Sequence, residues 1–396
     1  MGVSAQLLAK IDERIAAVIP DVQKLRHEIH QHPELTWQEE KTSELLAARL
    51  RKIPQLKIRT GVAKYGIVAD LVGRHPGPIV ALRADMDALP ILEKSGRPWT
   101  SLHDGKMHAC GHDGHMANLM GVAQVLAEME EHIHGTIRFI FQPAEEGGAG
   151  AAVMIDEGAL DQVDVIFGMH AWPEGKRGEV LVKTGPIMAA NTEIKIKIRG
   201  KGAHAAAPHL GTDQVLVAAR VVDALQSIPS RFVAPYDAIA LTISTIHGGI
   251  ASNVIPDEVE MTGTLRSVSV ETRDRVAVAI ENMVTHICAA HGAQGEVIIE
   301  HHYPATVNHS EPTDYFRRIA RSALGDDAVK ELTKCPMTAE DFSYFLEKKP
   351  GTFFLLGMAE DGQDQPSLHH PEFDFNDDAF ATSMKMFCQL ALQWPS

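Results

Sequence analysis

The chain has 396 residues, 45% apolar and 22% charged, the balance of a globular protein with two or three domains of roughly 100–200 residues each. Lys and Arg number 37 against 52 Asp and Glu, a net charge of −15, which excludes the basic footprint of a nucleic-acid binder and a polybasic membrane anchor. Four widely spaced cysteines (Cys110, Cys288, Cys335, Cys388) with no CxxC pair exclude a disulfide framework and point to a reducing cytoplasm.

Residues 4–31 carry apolar side chains at helical spacing, with Asp12 and Glu13 among them, which predicts an amphipathic helix rather than a signal peptide. No apolar run approaches the ~18 residues of a membrane span. A second helix is expected over 38–52, then buried strands at 66–73 and 78–87. A helix over 114–130, a strand at 136–142, a helix near 149–157 and a strand at 163–170 follow. Strands alternating with helices predict a mostly parallel sheet covered on both faces.

After Pro186 the pattern changes. Residues 191–200 alternate apolar and polar with period two, as a half-exposed antiparallel strand does. A helix (211–228), two alternating runs (238–247 and 257–266), a helix (271–291) and a strand (295–303) complete a β-α-β-β-α-β order, that of a ferredoxin-like unit. The expected organisation is a discontinuous α/β domain (1–187 and 303–396) with a smaller α+β domain (188–302) inserted in it. Strand character returns at 352–358.

Chemistry concentrates in HACGHDGH (108–115), between a strand and a helix, where α/β sheets place their sites. Cys110 and His112 are two apart, so an extended segment would point both side chains one way. Thiolate and imidazole are zinc-type ligands. FQPAEEGG (141–148) puts adjacent carboxylates after a strand, one free to bind a metal and the other to face a water as general base. His170 is read as the end of strand 163–170, and His369 and His370 lie in a loop. Together these segments could fill a site for two ions about 3.5–4 Å apart. No GxSxG elbow, GxxxxGK[ST] loop or HExxH helix competes.

RADMDALPI (83–91), MHACGHDGHMA (107–117), FQPAEEG (141–147), GKGAHAAAPH (200–209), SNVIPD (252–257), GTLR (263–266), AEDFSYF (339–345) and LHHPEFDFND (368–377) occur in this order. This series resembles the hippurate hydrolase and indole-acetyl-amino-acid hydrolase branch of the aminoacylase/carboxypeptidase di-metal peptidase family, over nearly the whole chain. The resemblance implies two divalent ions (Zn, Mn, Co or Ni) on Cys110, His112, Glu146, His170 and His369, with Cys110 bridging. It implies Glu145 as general base, Asp87 supporting the metal site from behind, and an inserted lid and dimerisation domain. His204 would reach the scissile carbonyl, often from a partner subunit, and Asn253 and Arg266 would bind substrate. Asp85 stands where many branches carry a ligand His, and its role is open.

The implied activity is metal-dependent hydrolysis of N-acyl-amino acids into a carboxylic acid and an amino acid, with an aromatic or other apolar acyl group. An N-acetyl-amino-acid deacetylase and a dipeptidase are rivals on the same scaffold. A non-catalytic binding homologue is a further alternative, and the intact Glu145 and five ligand positions speak against it. The expected state is a cytoplasmic homodimer or homotetramer assembled through the lid, with hinges near 186–190 and 300–305.

Overall fold

A computed structural model describes residues 4–360 and 365–395. The chain divides into two compact units, one of residues 1–187, 307–333 and 341–396, the other of 188–306 and 334–340.

The first unit starts with helix α1 (Ala5–Gln31), whose first turn is capped by the Ser4 hydroxyl accepting from Leu7 N–H. Its buried face, Leu7, Ile11, Ile15, Val22, Leu25 and Ile29, recurs at helical spacing. Helix α2 (Glu40–Leu50) and strands β1 (Leu56–Val62), β2 (Gly66–Val72) and β3 (His75–Asp85) follow. Helix α3 (His112–Ala127) is buried along nearly its whole length, as its apolar composition requires. Strand β4 (His134–Gln142), helix α4 (Gly150–Asp156), strand β5 (Val165–Lys176) and the short strand β6 (Val180–Val182) complete the first stretch.

The second unit is strand β7 (Ala190–Arg199), helix α5 (Gln214–Leu225), strands β8 (Ile239–Gly248) and β9 (Glu258–Ser267), helix α6 (Val270–Ala290) and strand β10 (Gln294–His301). Its sheet runs β8-β9-β7-β10, antiparallel throughout, the ferredoxin-like arrangement. Residues on β7 alternate buried and half-buried, and Ile194, Ile196 and Ile198 pack with Val217, Val221, Leu225, Val276, Ile280 and Val284 into a core of the unit's own.

The chain then returns to the first unit as helix α7 (Ser310–Leu324), strand β11 (Val329–Glu331), helix α8 (Phe342–Lys348), strand β12 (Gly351–Ala359) and helix α9 (Phe380–Gln393). The large sheet has the order β1-β2-β4-β3-β5-β12-β6-β11. It is parallel at β3–β4, β3–β5, β5–β12 and β6–β11 and antiparallel at its remaining pairs. This is the expected mixed α/β sheet covered by helices.

Strand β1 was not foreseen: LKIRTGV is half charged or polar, and only its pairing with β2 makes it a strand. Strand β5 also runs six residues past His170, so His170 is not a strand end. Pairing of β5 with β3 stops at Gly168, and beyond it β5 continues against β12 alone, with His170 opposite Leu355. His170 therefore lies just past the last β3–β5 pair, level with Asp85 at the end of β3, while still held by β12. No helix among the described residues is long and apolar enough to cross a membrane.

Candidate metal centre

The parallel strands β4, β3 and β5 deliver their C-terminal ends to one edge of the sheet, the usual location of an α/β site. Cys110 and His112 are not on extended backbone. Gly111 between them sits at φ +87°, and His112 opens helix α3. The left-handed turn swings the two side chains together, and a Cβ at Gly111 would lie 3.1 Å from the Ala171 Cβ.

The Cys110 Sγ is 3.3 Å from His170 Nε2, and the donor atoms of Cys110, His112 and His170 all lie within 4.8 Å of one another. Cys110, Glu146 and His369 form a second such trio, with His369 Nε2 3.2 Å from Glu146 Oε1. Cys110 belongs to both. His112, Glu145 and Glu146 form a third, which puts Glu145 beside the cluster. The His369 segment is tied to this side by its N–H donating to Ala109 O at 2.8 Å.

Ring orientations are fixed from behind. His112 Nδ1–H donates to Asp87 O at 2.8 Å, and His170 Nδ1–H donates to Ala171 O at 2.7 Å. Each Nε2 is left facing the cluster, the arrangement metal-binding histidines need. Among the described residues, His112 Nε2 and Glu146 Oε1 are buried atoms with no hydrogen-bond partner. Two buried polar atoms so aimed would be costly unless a ligand completes them.

Asp87 supports the site mainly through the backbone of the carboxylate pair. Its Oδ1 accepts from Glu145 N–H at 3.0 Å and its Oδ2 from Glu146 N–H at 2.9 Å. Thr36 Oγ1–H donates to the same Oδ2 at 2.8 Å. One residue earlier, Ala144 N–H donates to Glu39 Oε1 at 2.8 Å, with Ala144 at φ +56°. Three successive amides are thus held by two buried carboxylates, and this turn sets where Glu145 and Glu146 point.

Electrostatics favour a cation. Burial pushes the Cys110 thiol well up, and Glu146, Glu145 and Asp85 push it further. Burial opposes charge on His112, yet Asp85, Asp87 and Glu146 outweigh it and raise the imidazole to about 10. Surplus negative charge around soft and borderline donors fits one or two divalent ions.

The second unit places the other expected residues apart. His204 pairs with Val254 across a short ladder, Ala205 N–H donates to Asn253 O, and both His204 and Asn253 are exposed. Arg266 is half-buried near the far end of β9, opposite Asn191, and no ion pair to it is found among the described residues. Burial lowers its pKa. From Glu258, near the His204 loop, to Arg266 the strand spans about 27 Å at ~3.4 Å per residue. Within one unit, Arg266 and His204 are not neighbours.

Several buried polar residues escaped the sequence reading. His115 donates from Nδ1 to Asp85 Oδ1 at 2.6 Å. Arg83 donates to Asp85 Oδ2 at 2.6 Å and to Asp341 Oδ1 at 2.9 Å. Arg26 on α1 donates to Asp113 and Asp374 and pairs with Asp377. A signal was available: an Arg within the apolar strand PIVALRAD must find acids once buried.

Comparison with known proteins agrees with this architecture. The profile of Peptidase family M20/M25/M40 matches residues 81–393. An N-acetyl-L-cysteine deacetylase of Bacillus subtilis is 42% identical over 90% of this chain and 83% of its own length. IAA-amino acid hydrolase ILR1-like 2 of Arabidopsis thaliana is 39% identical over 94% and 84%. The crystal structure of the Bacillus subtilis YXEP protein, described as a dinuclear metal binding peptidase from M20 family, superimposes with a TM-score of 0.82 at 34% identity, covering 95% of this chain and 98% of that one.

Proposed function

The chain belongs to peptidase family M20/M25/M40, a hydrolase of amidohydrolase type, and from that premise we propose that it cleaves N-acyl-amino acids into a carboxylic acid and a free amino acid. The observation that carries the reading is Cys110 shared between two donor trios with Glu145 alongside. One ion would rest on Cys110, His112 and His170, the other on Cys110, Glu146 and His369. The ions would supply Lewis-acid activation of the attacking water and of the acyl carbonyl. Zinc suits the thiolate and imidazole set, with Mn, Co and Ni as further candidates.

Glu145 takes the proton of the attacking water on its carboxylate and returns it to the leaving amine nitrogen. Asp87 and Glu39 hold the turn that aims Glu145. Arg266, which has no ion pair among the described residues, pairs with the substrate carboxylate through its fork of donors. His204 and Asn253 act from the inserted domain of a partner subunit in a homodimer, since Arg266 and His204 are a strand's length apart within one unit. The acyl group we assign is apolar and hippurate-like. The similarity to an N-acetyl-L-cysteine deacetylase supports an acetyl group as the second reading.

Metal-stripped protein should regain hydrolysis on adding back one of Zn, Mn, Co or Ni, assayed on hippurate, an N-acetyl-amino acid and a dipeptide. The variant E145Q should bind metal normally and lose about 10²–10⁴-fold in kcat. Full turnover by E145Q would remove the general base from the mechanism. Preference for the dipeptide would overturn the acyl-amino-acid assignment.

A further inference from the structure

Two blocks of the chain, RADMD (83–87) and AEDFSYF (339–345), supply no donor to either trio, yet each sends charged groups into the interior behind them. Arg83, Asp85, His115, Gln142 and Asp341 are all essentially unexposed. They form one continuous hydrogen-bonded run.

At one end, Asp341 N–H donates to Glu145 Oε1 at 3.3 Å. Three groups anchor the Asp341 carboxylate: Arg83 NH2 at 2.9 Å, Gln142 Nε2 at 2.8 Å and Ala151 N–H at 3.0 Å. Arg83 Nε donates to Gln142 Oε1 at 2.7 Å, and Arg83 NH1 donates to Asp85 Oδ2 at 2.6 Å. Asp85 Oδ1 accepts from His115 Nδ1–H at 2.6 Å. At the other end, Ala171 N–H donates to His115 Nε2 at 2.9 Å, one residue after His170. That last bond fixes the tautomer: His115 Nε2 must accept, so its proton is on Nδ1 and points at Asp85.

Asp85, His112 and His115 lie close enough together to suggest a further ligand trio. Their bonding argues otherwise. Both Asp85 oxygens accept strong hydrogen bonds, and both His115 nitrogens are used. Asp85 Oδ2 is 3.6 Å from His112 Nε2 and leaves that atom without a hydrogen bond.

We propose that the buried Asp85–Arg83–Asp341 cluster is a positioning device for the reaction, with Asp341 aiming Glu145 and Asp85, through His115, holding the His170 segment of the metal cluster. The proposal rests on the hydrolase reading above. It gives Asp85 a task suited to a side chain that binds no metal, and it gives AEDFSYF a place beside the base. Arg83 is the tie that makes the two ends one body. Its single positive charge is shared between two buried acids, whose remaining oxygen sites are met by His115, Gln142 and Ala151.

The two ends predict different defects, which a purely structural role would not. D341N should lower kcat about 10²-fold, leave KM within about twofold and retain the wild-type metal content, because only the aim of the base is lost. D85N should weaken metal retention against a chelator about 10–100-fold and keep most of kcat at saturating metal. Metal content, measured on the purified protein, is read independently of turnover. Q142M, a neutral exchange that removes the Gln142 bonds to Arg83 and Asp341 and leaves the direct Arg83–Asp341 pair, should reproduce the D341N pattern more weakly, at about 10-fold. It decides the matter should D341N fail to fold. Unchanged kcat in both D341N and Q142M, or parallel loss of metal and activity in D341N and D85N alike, overturns the proposal. Run beside them, E145Q separates the two levels: an inactive E145Q with fully active D341N and Q142M defeats the positioning role alone, and an active E145Q defeats the underlying mechanism.

Discussion

At the scale of the residue, Cys110, His112, Glu145 and Glu146 are legible because they stand at a helix start or a Gly-rich turn after a strand, whereas His170 lies inside β5 and His369 in a loop, and only their number and type mark them. Their orientation is not legible. It depends on the left-handed Gly111, on the Asp87 and Glu39 carboxylates under the 144–146 turn, and on carbonyls that fix two imidazoles. Apart from the Gly111 turn and the His170–Ala171 bond, these are long-range hydrogen bonds with no local pattern. The shared position of Cys110 has a measurable result: C110A should lose both ions, whereas H369A should weaken only the ion on the Glu146 side. Metal titration of the two variants distinguishes them, and equal losses would contradict a shared thiolate.

At the scale of the element, period-two and helical spacings locate most strands and helices, and the failures have physical causes. Strand β1 is polar because it is an edge strand paired only with β2. Strand β5 outruns its expected end because β12, distant in sequence, keeps pairing with it. Helix α1 shows the same limit: spacing marks its apolar face, but not that Arg26 and His30 point inward to acids. Burial disfavours charge on His30, but Asp113 and Glu93 prevail and raise it to about 9. The raised value means the fold binds the imidazolium. Its stabilisation is full below the unfolded pKa near 6.5 and is lost as pH rises through about 9, a change on the order of 3 kcal/mol. Metal-loaded wild type should therefore lose stability between pH 6.5 and 9.5 by chemical denaturation, and H30Q should show a flatter profile. Parallel profiles would show that His30 is not charged in the folded protein.

At the scale of the whole molecule, the change from buried runs to alternating strands after Pro186 marks the inserted ferredoxin-like element order. The return of residues 334–340 to the second unit leaves no such mark, since a short segment held by bonds such as Ala189 N–H to Thr338 O has no periodicity to read. The proposed homodimer carries a test of its own. If each site takes His204 from the partner, mixing inactive H204A and E145Q protomers should restore about one quarter of wild-type activity, because half the random dimers hold one intact site of two. No recovery after subunit exchange would place His204 outside the partner's reaction.

The position of β12 has a consequence for how the protein is made. This strand is the last to be synthesised, yet it lies inside the large sheet, between β5 and β6. Residues 177–350 must leave the ribosome after β5 is finished and before its neighbour exists. Throughout that interval the second unit can close around its own core, while the buried residues of β5 present an unpaired, sticky edge. Synthesis stalled before Gly351 would thus yield a client for chaperones and proteases, never a partial enzyme.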